Sequence, residues 1–288
     1  MILFKKAADL HKWLDAQRKK DNSIGFAPTM GALHPGHISL VENSKKENDI
    51  TVSSIFVNPA QFNDPKDFDK YPVTIEKDIT LLEAAGCDVL FMPTVAEIYP
   101  DIHAGQPVKA IRHYDLGFLE TRLEGVFRPG HFQGVCMVMH RLLEIVQPDN
   151  LYLGQKDYQQ CMVITRLTEL LHMNDSLKVN VSPTLREPDG LAMSSRNLRL
   201  NKEEREKAVA IYRSLIYIKE NLRRGDTTAL LQKATTMLSD AGFRIDYLEI
   251  ADAKTLLTVT DWDGHQKLVI LAAAFLNAIR LIDNMIVN

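Results

Sequence analysis

Along the first 180 residues the apolar positions switch repeatedly between two periods. In 5–20, Leu10, Trp13 and Leu14 share one face at helical spacing, which predicts an amphipathic helix. Ile24 to Ala27 is a short apolar strand ending in Pro28-Thr29-Met30-Gly31, and a second helix is predicted from near Pro35 or His37 to about Asn48. Ile50 to Val57 is rich in β-branched residues and bounded by Asn58-Pro59, which predicts a strand. Thr74 to Ala85 is predicted helical with Gly86 as its stop, and Asp88 to Met92 is a strand ending at Pro93. Helices are then predicted at 131–146 and 157–172, and strands at 151–153 and 177–181.

Strands alternating with helices of this length indicate a mostly parallel α/β sheet. In such sheets ligands bind at the carboxyl ends of strands. The unusual residues follow strands here: 28–37, 58–62 and 154–160. The pattern changes over 183–200, where Pro183, Pro188 and Gly190 punctuate a polar stretch. Beyond it come a long charged helix at 201–223, a helix at 227–240, and apolar runs at 245–251 and 267–275 that read as antiparallel strands. The predicted fold is a Rossmann-like parallel sheet in 1–184 with a smaller α+β C-terminal domain in 185–288.

Composition narrows the function classes. The chain has 288 residues, enough for a sizeable core, and 45% of them are hydrophobic. Its 34 basic and 37 acidic residues give a net charge of −3, so there is no global basic field for nucleic acid or a membrane surface. The three cysteines, at 87, 136 and 161, form no CxxC and suggest a reducing cytoplasm. The start MILFKKAADLHKW is unlike a secretory signal. The longest apolar run, Leu268 to Leu276, is far short of the ~20 residues that span a bilayer. A soluble, intracellular protein is expected.

Five segments carry candidate chemistry. In PTMGALHPGHISL (28–40), His34 and His37 flank Pro35-Gly36 at a strand-to-helix turn. A helix start offers unpaired N–H groups and the positive dipole end, both suited to phosphate. The alternative is a turn with two surface histidines. Zinc would need further ligands at metal-like spacing, and no HExxH or cysteine cluster supplies them. Neither GxxxxGK[ST] nor GxGxxG occurs, so a nucleotide site here is of another type. In MSSRN (193–197), two hydroxyls beside an arginine suit phosphate oxygens, or form a polar linker. GQKDYQQ (154–160) places Lys156 after a strand, with Asp157 expected to cap a helix. In FVNPAQF (56–62), Gln61 follows a strand, though an Asn-Pro turn explains much of the segment. RPGHFQGV (128–135) is another Pro-Gly-His at a helix start, or simply a capped turn.

In this order and at these intervals, PTMGALHPGH, FVNPAQF, RPGHFQGV, GQKDYQQ and DGLAMSSRN resemble the pantothenate synthetase (pantoate–β-alanine ligase) family. That family lies within the nucleotidyl transferases carrying an HxGH-type motif, alongside the class I aminoacyl-tRNA synthetases. The resemblance implies that Met30, Gly31, Ala32, Leu33, His34, Pro35, Gly36 and His37 serve ATP, with His37 a proton donor. It implies that Gln61 contacts pantoate and β-alanine, and that Gln160 is a second pantoate contact. Gly154, Gln155, Lys156 and Asp157 match an ATP segment whose lysine reaches the phosphates. Met193, Ser194, Ser195 and Arg196 match the ATP loop that parallels the KMSKS loop of the synthetases, and the backbone near Leu185 is expected to meet adenine. His34, His37, Lys156 and Arg196 are therefore the expected catalytic group, with Mg2+ sharing the phosphate charge. The metal ligands stay unassigned. Departures from the family pattern are Pro35, where many relatives carry glutamate, the bulky Phe127 before Arg128, and Gln133, where relatives often carry arginine.

The implied reaction is ATP-dependent condensation of pantoate with β-alanine through a pantoyl adenylate, in a cytoplasmic homodimer whose smaller domain closes over the site. Two readings compete with it. One is another HxGH-type adenylyltransferase, which would need an anion site for a phosphorylated acceptor. The other is a catalytically silent nucleotide-binding protein.

Overall fold

The computed structural model describes residues 1–63, 65–101 and 112–287. It forms two compact units, Met1–Gly154 with Gln159–Pro183, and Gln155–Tyr158 with Thr184–Asn288. The four residues Gln155–Tyr158 thus pack with the second unit, although the sequence reading kept them in the first. Among the described residues no helix is long and apolar enough to cross a membrane.

The first unit is built on six parallel strands: β1 (Ile2–Phe4), β2 (Ile24–Thr29), β3 (Ile50–Ile55), β4 (Val89–Phe91), β5 (Asn150–Gly154) and β6 (Lys178–Ser182). Their order in the sheet is β1-β4-β3-β2-β5-β6. The chain steps from β2 out to β3 and β4, then returns to the other side of β2 as β5. The order therefore reverses between β2 and β5, the topological switch point where open α/β sheets bind ligands. β1 escaped the sequence reading because it is a three-residue edge strand with Ile2 and Leu3 exposed, so burial does not mark it. The central strands carry the core: Ile24, Phe26, Ala27, Val52, Val89, Leu90, Phe91 and Leu151 are fully buried. The helix Pro35–Glu47 packs on β2, and its last turn is stitched to the sheet through Asn48, whose Nδ2 donates to the Tyr152 hydroxyl at 2.8 Å.

The turn after β2 has an unusual backbone. Gly31 and Ala32 both have positive φ, +81° and +49°, and the alanine is strained there. What fixes them is Asp78, on the helix Ile75–Ala84 and 0% exposed. Its Oδ2 accepts from Ala32 N at 2.9 Å and its Oδ1 from Leu33 N at 2.8 Å and Thr74 Oγ1 at 2.9 Å. On the other side, Gly31 N donates to Thr29 Oγ1 at 3.1 Å, and that hydroxyl donates to Ser54 O on β3 at 2.6 Å.

The second unit has an antiparallel sheet of β8 (Phe243–Asp252), β10 (Leu268–Leu276) and β11 (Ile279–Val287), ordered β11-β10-β8, and a short pair, β7 (Gly225–Asp226) with β9 (Asp261–Trp262). Its core joins the sheet to the helices Ala210–Asn221 and Thr228–Asp240 through Leu215, Ile218, Leu238, Ile250, Ile270 and Leu281. The single helix expected over 201–223 is two, Lys202–Ala208 and Ala210–Asn221, broken at Val209. Its start is a capping box: Asn201 Oδ1 accepts from Glu204 N, and Glu204 Oε2 accepts from Asn201 N, both at 2.9 Å.

Asp78→Asn should lower unfolding stability by about 2–4 kcal/mol, since an amide nitrogen would face a backbone N–H in place of an acceptor. Urea denaturation of the variant beside the parent measures this. An unchanged midpoint would mean that Asp78 does not hold the turn.

Candidate active site

His34 ends the strained turn in extended conformation and caps the helix Pro35–Glu47 through its backbone. Its carbonyl accepts from His37 N at 2.8 Å and Ile38 N at 3.2 Å. Pro35 is well suited to the first helical position, where φ near −65° is required and no N–H is needed. Proline at this position therefore leaves the helix start intact. One helical turn brings the two imidazoles together, with ring centroids 3.9 Å apart and planes at 32°. The pair sits at the carboxyl end of β2, beside the switch point.

Gln61 closes the short turn Pro59–Gln61 after β3 and is 9% exposed. Its Nε2 donates to Met30 Sδ at 2.9 Å, so the segment expected to serve ATP and the residue expected to contact pantoate touch each other. The Gln61 carbonyl accepts from His131 Nδ1 at 2.7 Å and Arg128 Nη2 at 3.3 Å. Because the carbonyl only accepts and the guanidinium only donates, at 3.0 Å to Nε2, His131 is the Nδ1–H tautomer.

The residue that organises this turn is Asn58, which is 1% exposed. Its Nδ2 donates to Gln61 Oε1 at 3.2 Å and Gly134 O at 3.1 Å, and its Oδ1 accepts from Ala60 N at 3.2 Å and the Tyr99 hydroxyl at 2.8 Å. Burial pushes the Tyr99 phenol well above its ordinary range, so it remains a donor. Gly134 is required by close approach: a Cβ there would lie 2.2 Å from Ala60 O, so the helix His131–Val146 reaches the turn only with glycine at this position. The motifs FVNPAQF and RPGHFQGV marked this neighbourhood in the sequence. The fourfold role of Asn58 and the participation of Tyr99 had no sequence signal beyond the Asn-Pro turn.

Gln133 does a different job. Its amide pairs with the Tyr114 backbone, accepting from N at 2.9 Å and donating to O at 2.8 Å, and it also reaches Glu120 Oε1 at 2.9 Å. Adjacent glutamines in GQKDYQQ also separate. Gln159 is buried and holds the 119–124 segment, donating to Leu119 O and Arg122 O and accepting from Glu124 N. Gln160, the expected substrate contact, is the half-buried neighbour on the helix Tyr158–Leu170.

Of the remaining predicted residues, Gly154 ends β5 in the first unit and the others lie in the second. Gln155–Asp157 is a short turn before the helix Tyr158–Leu170, and Asp157 Oδ2 accepts from Lys156 Nζ at 3.2 Å. The polar stretch punctuated by Pro188 and Gly190 forms a small anchored hairpin. Arg186 bridges to Ala192, Met193 N donates to Leu185 O at 3.0 Å, and Gly190 N donates to Glu187 O at 2.8 Å. Asp189 takes both prongs of Arg205, at 2.7 and 3.1 Å, and Arg186 takes both oxygens of Asp283, at 2.6 and 2.9 Å. Ser194 then caps the turn Ser195–Arg199 by accepting from Arg196 N at 3.3 Å.

Comparison with known proteins gives matches over nearly the whole chain. A profile of the family described as pantoate-beta-alanine ligase matches residues 2–286. Pantothenate synthetase from Cytophaga hutchinsonii is 42% identical over 290 residues, covering 100% of this chain and 99% of the relative. The crystal structure of pantothenate synthetase from Thermus thermophilus superposes with a TM-score of 0.86 at 40% identity, covering 99% of both chains. That of pantoate-beta-alanine ligase from Francisella tularensis, complexed with beta-gamma ATP and beta-alanine, gives a TM-score of 0.79 at 38% identity, covering 99% of this chain and 97% of that one. With the parallel sheet, the paired histidines after β2 and a profile match over nearly its whole length, the chain belongs to the pantoate–β-alanine ligase family.

Proposed function

We propose that the protein condenses pantoate with β-alanine at the expense of ATP, forming pantothenate, AMP and pyrophosphate through a pantoyl adenylate. The observation that carries the reading is the stacked His34–His37 pair at the carboxyl end of β2, in a unit where Met30 of the same loop touches the buried amide of Gln61. A rigid helix start with two imidazoles suits a triphosphate, and a neutral amide suits a hydroxy acid.

A carboxylate does not acylate an amine directly, because oxide is a poor leaving group. In the first step the pantoate carboxylate oxygen attacks the α-phosphorus, and the bond to the bridging oxygen of pyrophosphate breaks. His34, His37, Lys156 and Arg196 stabilise charge on the departing phosphates, with His37 able to supply a proton. Gln61 and Gln160 orient pantoate, and the backbone near Leu185 meets adenine. In the second step the β-alanine amine attacks the acyl carbon, AMP leaves, and the amine nitrogen loses a proton. Among the described residues no three His, Cys, Asp or Glu side chains form a metal cage. Magnesium arrives with ATP as part of the substrate, since this ion usually needs only one or two protein carboxylates beside phosphates and water. The same reading carries a cytoplasmic homodimer.

Incubated with magnesium ATP, pantoate and β-alanine, the protein should release AMP and pyrophosphate in step with pantothenate, as chromatography of the products will show. Release of ADP and phosphate would mean acyl-phosphate chemistry and would overturn the adenylate.

Gln61→Ala should weaken pantoate binding by roughly 1–3 kcal/mol for each polar partner left unpaired, while ATP binding is retained. Titration calorimetry with each ligand separately checks this, and normal pantoate affinity would remove Gln61 from the acid site.

Lys156→Ala and His37→Ala should each slow adenylate formation by roughly 10²–10³-fold, the scale for losing one preorganised donor. Attack of β-alanine on supplied pantoyl adenylate should change far less, because pyrophosphate has already gone. Single-turnover measurement of the two steps decides it. Equal damage to both would point to a shared positioning role or a folding defect.

A further inference from the structure

β11 breaks its own pattern at its centre. Ile279, Leu281 and Val287 belong to the core of the second unit, and Asp283 stands in the same alternating row. Its neighbour Asn284 lies on the opposite face, and both residues are 2% exposed. Two adjacent buried polar residues in an apolar strand are costly unless their polar atoms are met. Here they are met by the two segments of this unit that the proposed reaction assigns to ATP.

Asn284 Nδ2 donates to the carbonyls of Gln155 at 2.9 Å and Lys156 at 2.8 Å, and its Oδ1 accepts from Gln155 Nε2 at 3.2 Å. The far end of the same segment is tied by the Tyr158 hydroxyl, which donates to Ala253 O at 2.7 Å. Asp283 receives the Arg186 guanidinium with both oxygens, and Arg186 also donates to Gly190 O at 3.1 Å and Asn284 O at 3.2 Å. One dipeptide of β11 therefore grips both the Lys156 turn and the hairpin that leads into Met193–Arg196.

We propose that Asn284 is a positioning residue for Lys156: its amide holds the Gln155–Asp157 turn by its carbonyls, while Asp283 fixes the neighbouring hairpin through Arg186. The inference deepens the ligase reading and rests on it. A lysine side chain is long and flexible, so its ammonium is directed only as well as its backbone is held. The carbonyls of a three-residue turn have few partners of their own, and Asn284 supplies them.

The test uses Asn284→Asp, which keeps the shape but sets an oxygen against two carbonyls, and Asn284→Ala, which removes the contact. Ile279→Val, a trimmed core residue on the same strand, is the control for a merely weakened sheet. Hydrogen exchange of the peptide carrying 155–158 is read together with the two half-reactions in single turnovers. Both Asn284 variants should exchange faster in that peptide and form adenylate about 10–100-fold more slowly, the scale of a misplaced catalytic group. Their reaction of supplied pantoyl adenylate with β-alanine should stay within about 2-fold of the parent, and Ile279→Val should change neither step. Parent-like exchange and adenylation in Asn284→Asp would overturn the proposal. So would equal slowing of both steps with faster exchange across the whole sheet, which marks a general loss of fold. Should the parent itself form no adenylate, the ligase reading fails, while the exchange data still judge whether Asn284 holds the turn.

Discussion

The first unit depends on a buried carboxylate gripping a strained turn. Asp78 accepts from the backbone N–H groups of both Ala32 and Leu33, the first of which holds a positive φ. A buried charge of this kind is tolerated because three donors converge on it. The consequence reaches the chemistry directly. The turn sets where Leu33 and His34 leave β2, His34 sets the start of the helix Pro35–Glu47, and one helical turn then sets His37 against His34. A stack of two imidazoles at 3.9 Å is thus a product of the backbone geometry at Gly31 and Ala32, just upstream.

Local sequence pattern was enough for most of the architecture. β-branched and apolar runs located β2 to β6, and the alternation with long helices gave a parallel sheet. The failures have physical causes. β1 is too short and too exposed for a periodic signal. The break at Val209 lies within a continuous helical pattern and carries neither Gly nor Pro. β11 was missed because Arg280 and Asp283-Asn284 interrupt its apolar run. That third failure is informative: places where a local rule is broken inside a well-packed element tend to be those where another constraint acts.

The site divided in the same way. Motif chemistry pointed to His34, His37, Gln61 and Lys156, because rare residue types at strand ends stand out in a linear sequence. The residues that hold them, Asp78, Asn58, Gly134 and Asn284, are individually ordinary in type, and their ties run far along the chain: 45 positions from Asp78 to Leu33, 128 from Asn284 to Lys156, and 76 from Asn58, which holds Gln61 three positions on, to Gly134. Their role is visible only as a set of distances. Asn58 illustrates the limit: its Asn-Pro context predicts a turn, whereas its bonds to Gly134 and Tyr99 are products of tertiary packing.

The two units solve the same problem with opposite polarity. A short turn presenting a charged or titratable side chain leaves backbone groups that no helix or strand satisfies. In the first unit the orphans are N–H groups, and an acceptor-only carboxylate from a neighbouring helix takes two of them. In the second they are carbonyls, and the two-hydrogen donor of an asparagine amide takes two of those. Asparagine suits the second case because its oxygen also remains to accept from Gln155 Nε2. Exchanging the two residue types would set like poles against each other at both turns. The choice of Asp at 78 and Asn at 284 therefore follows from the direction in which each turn points its peptide groups.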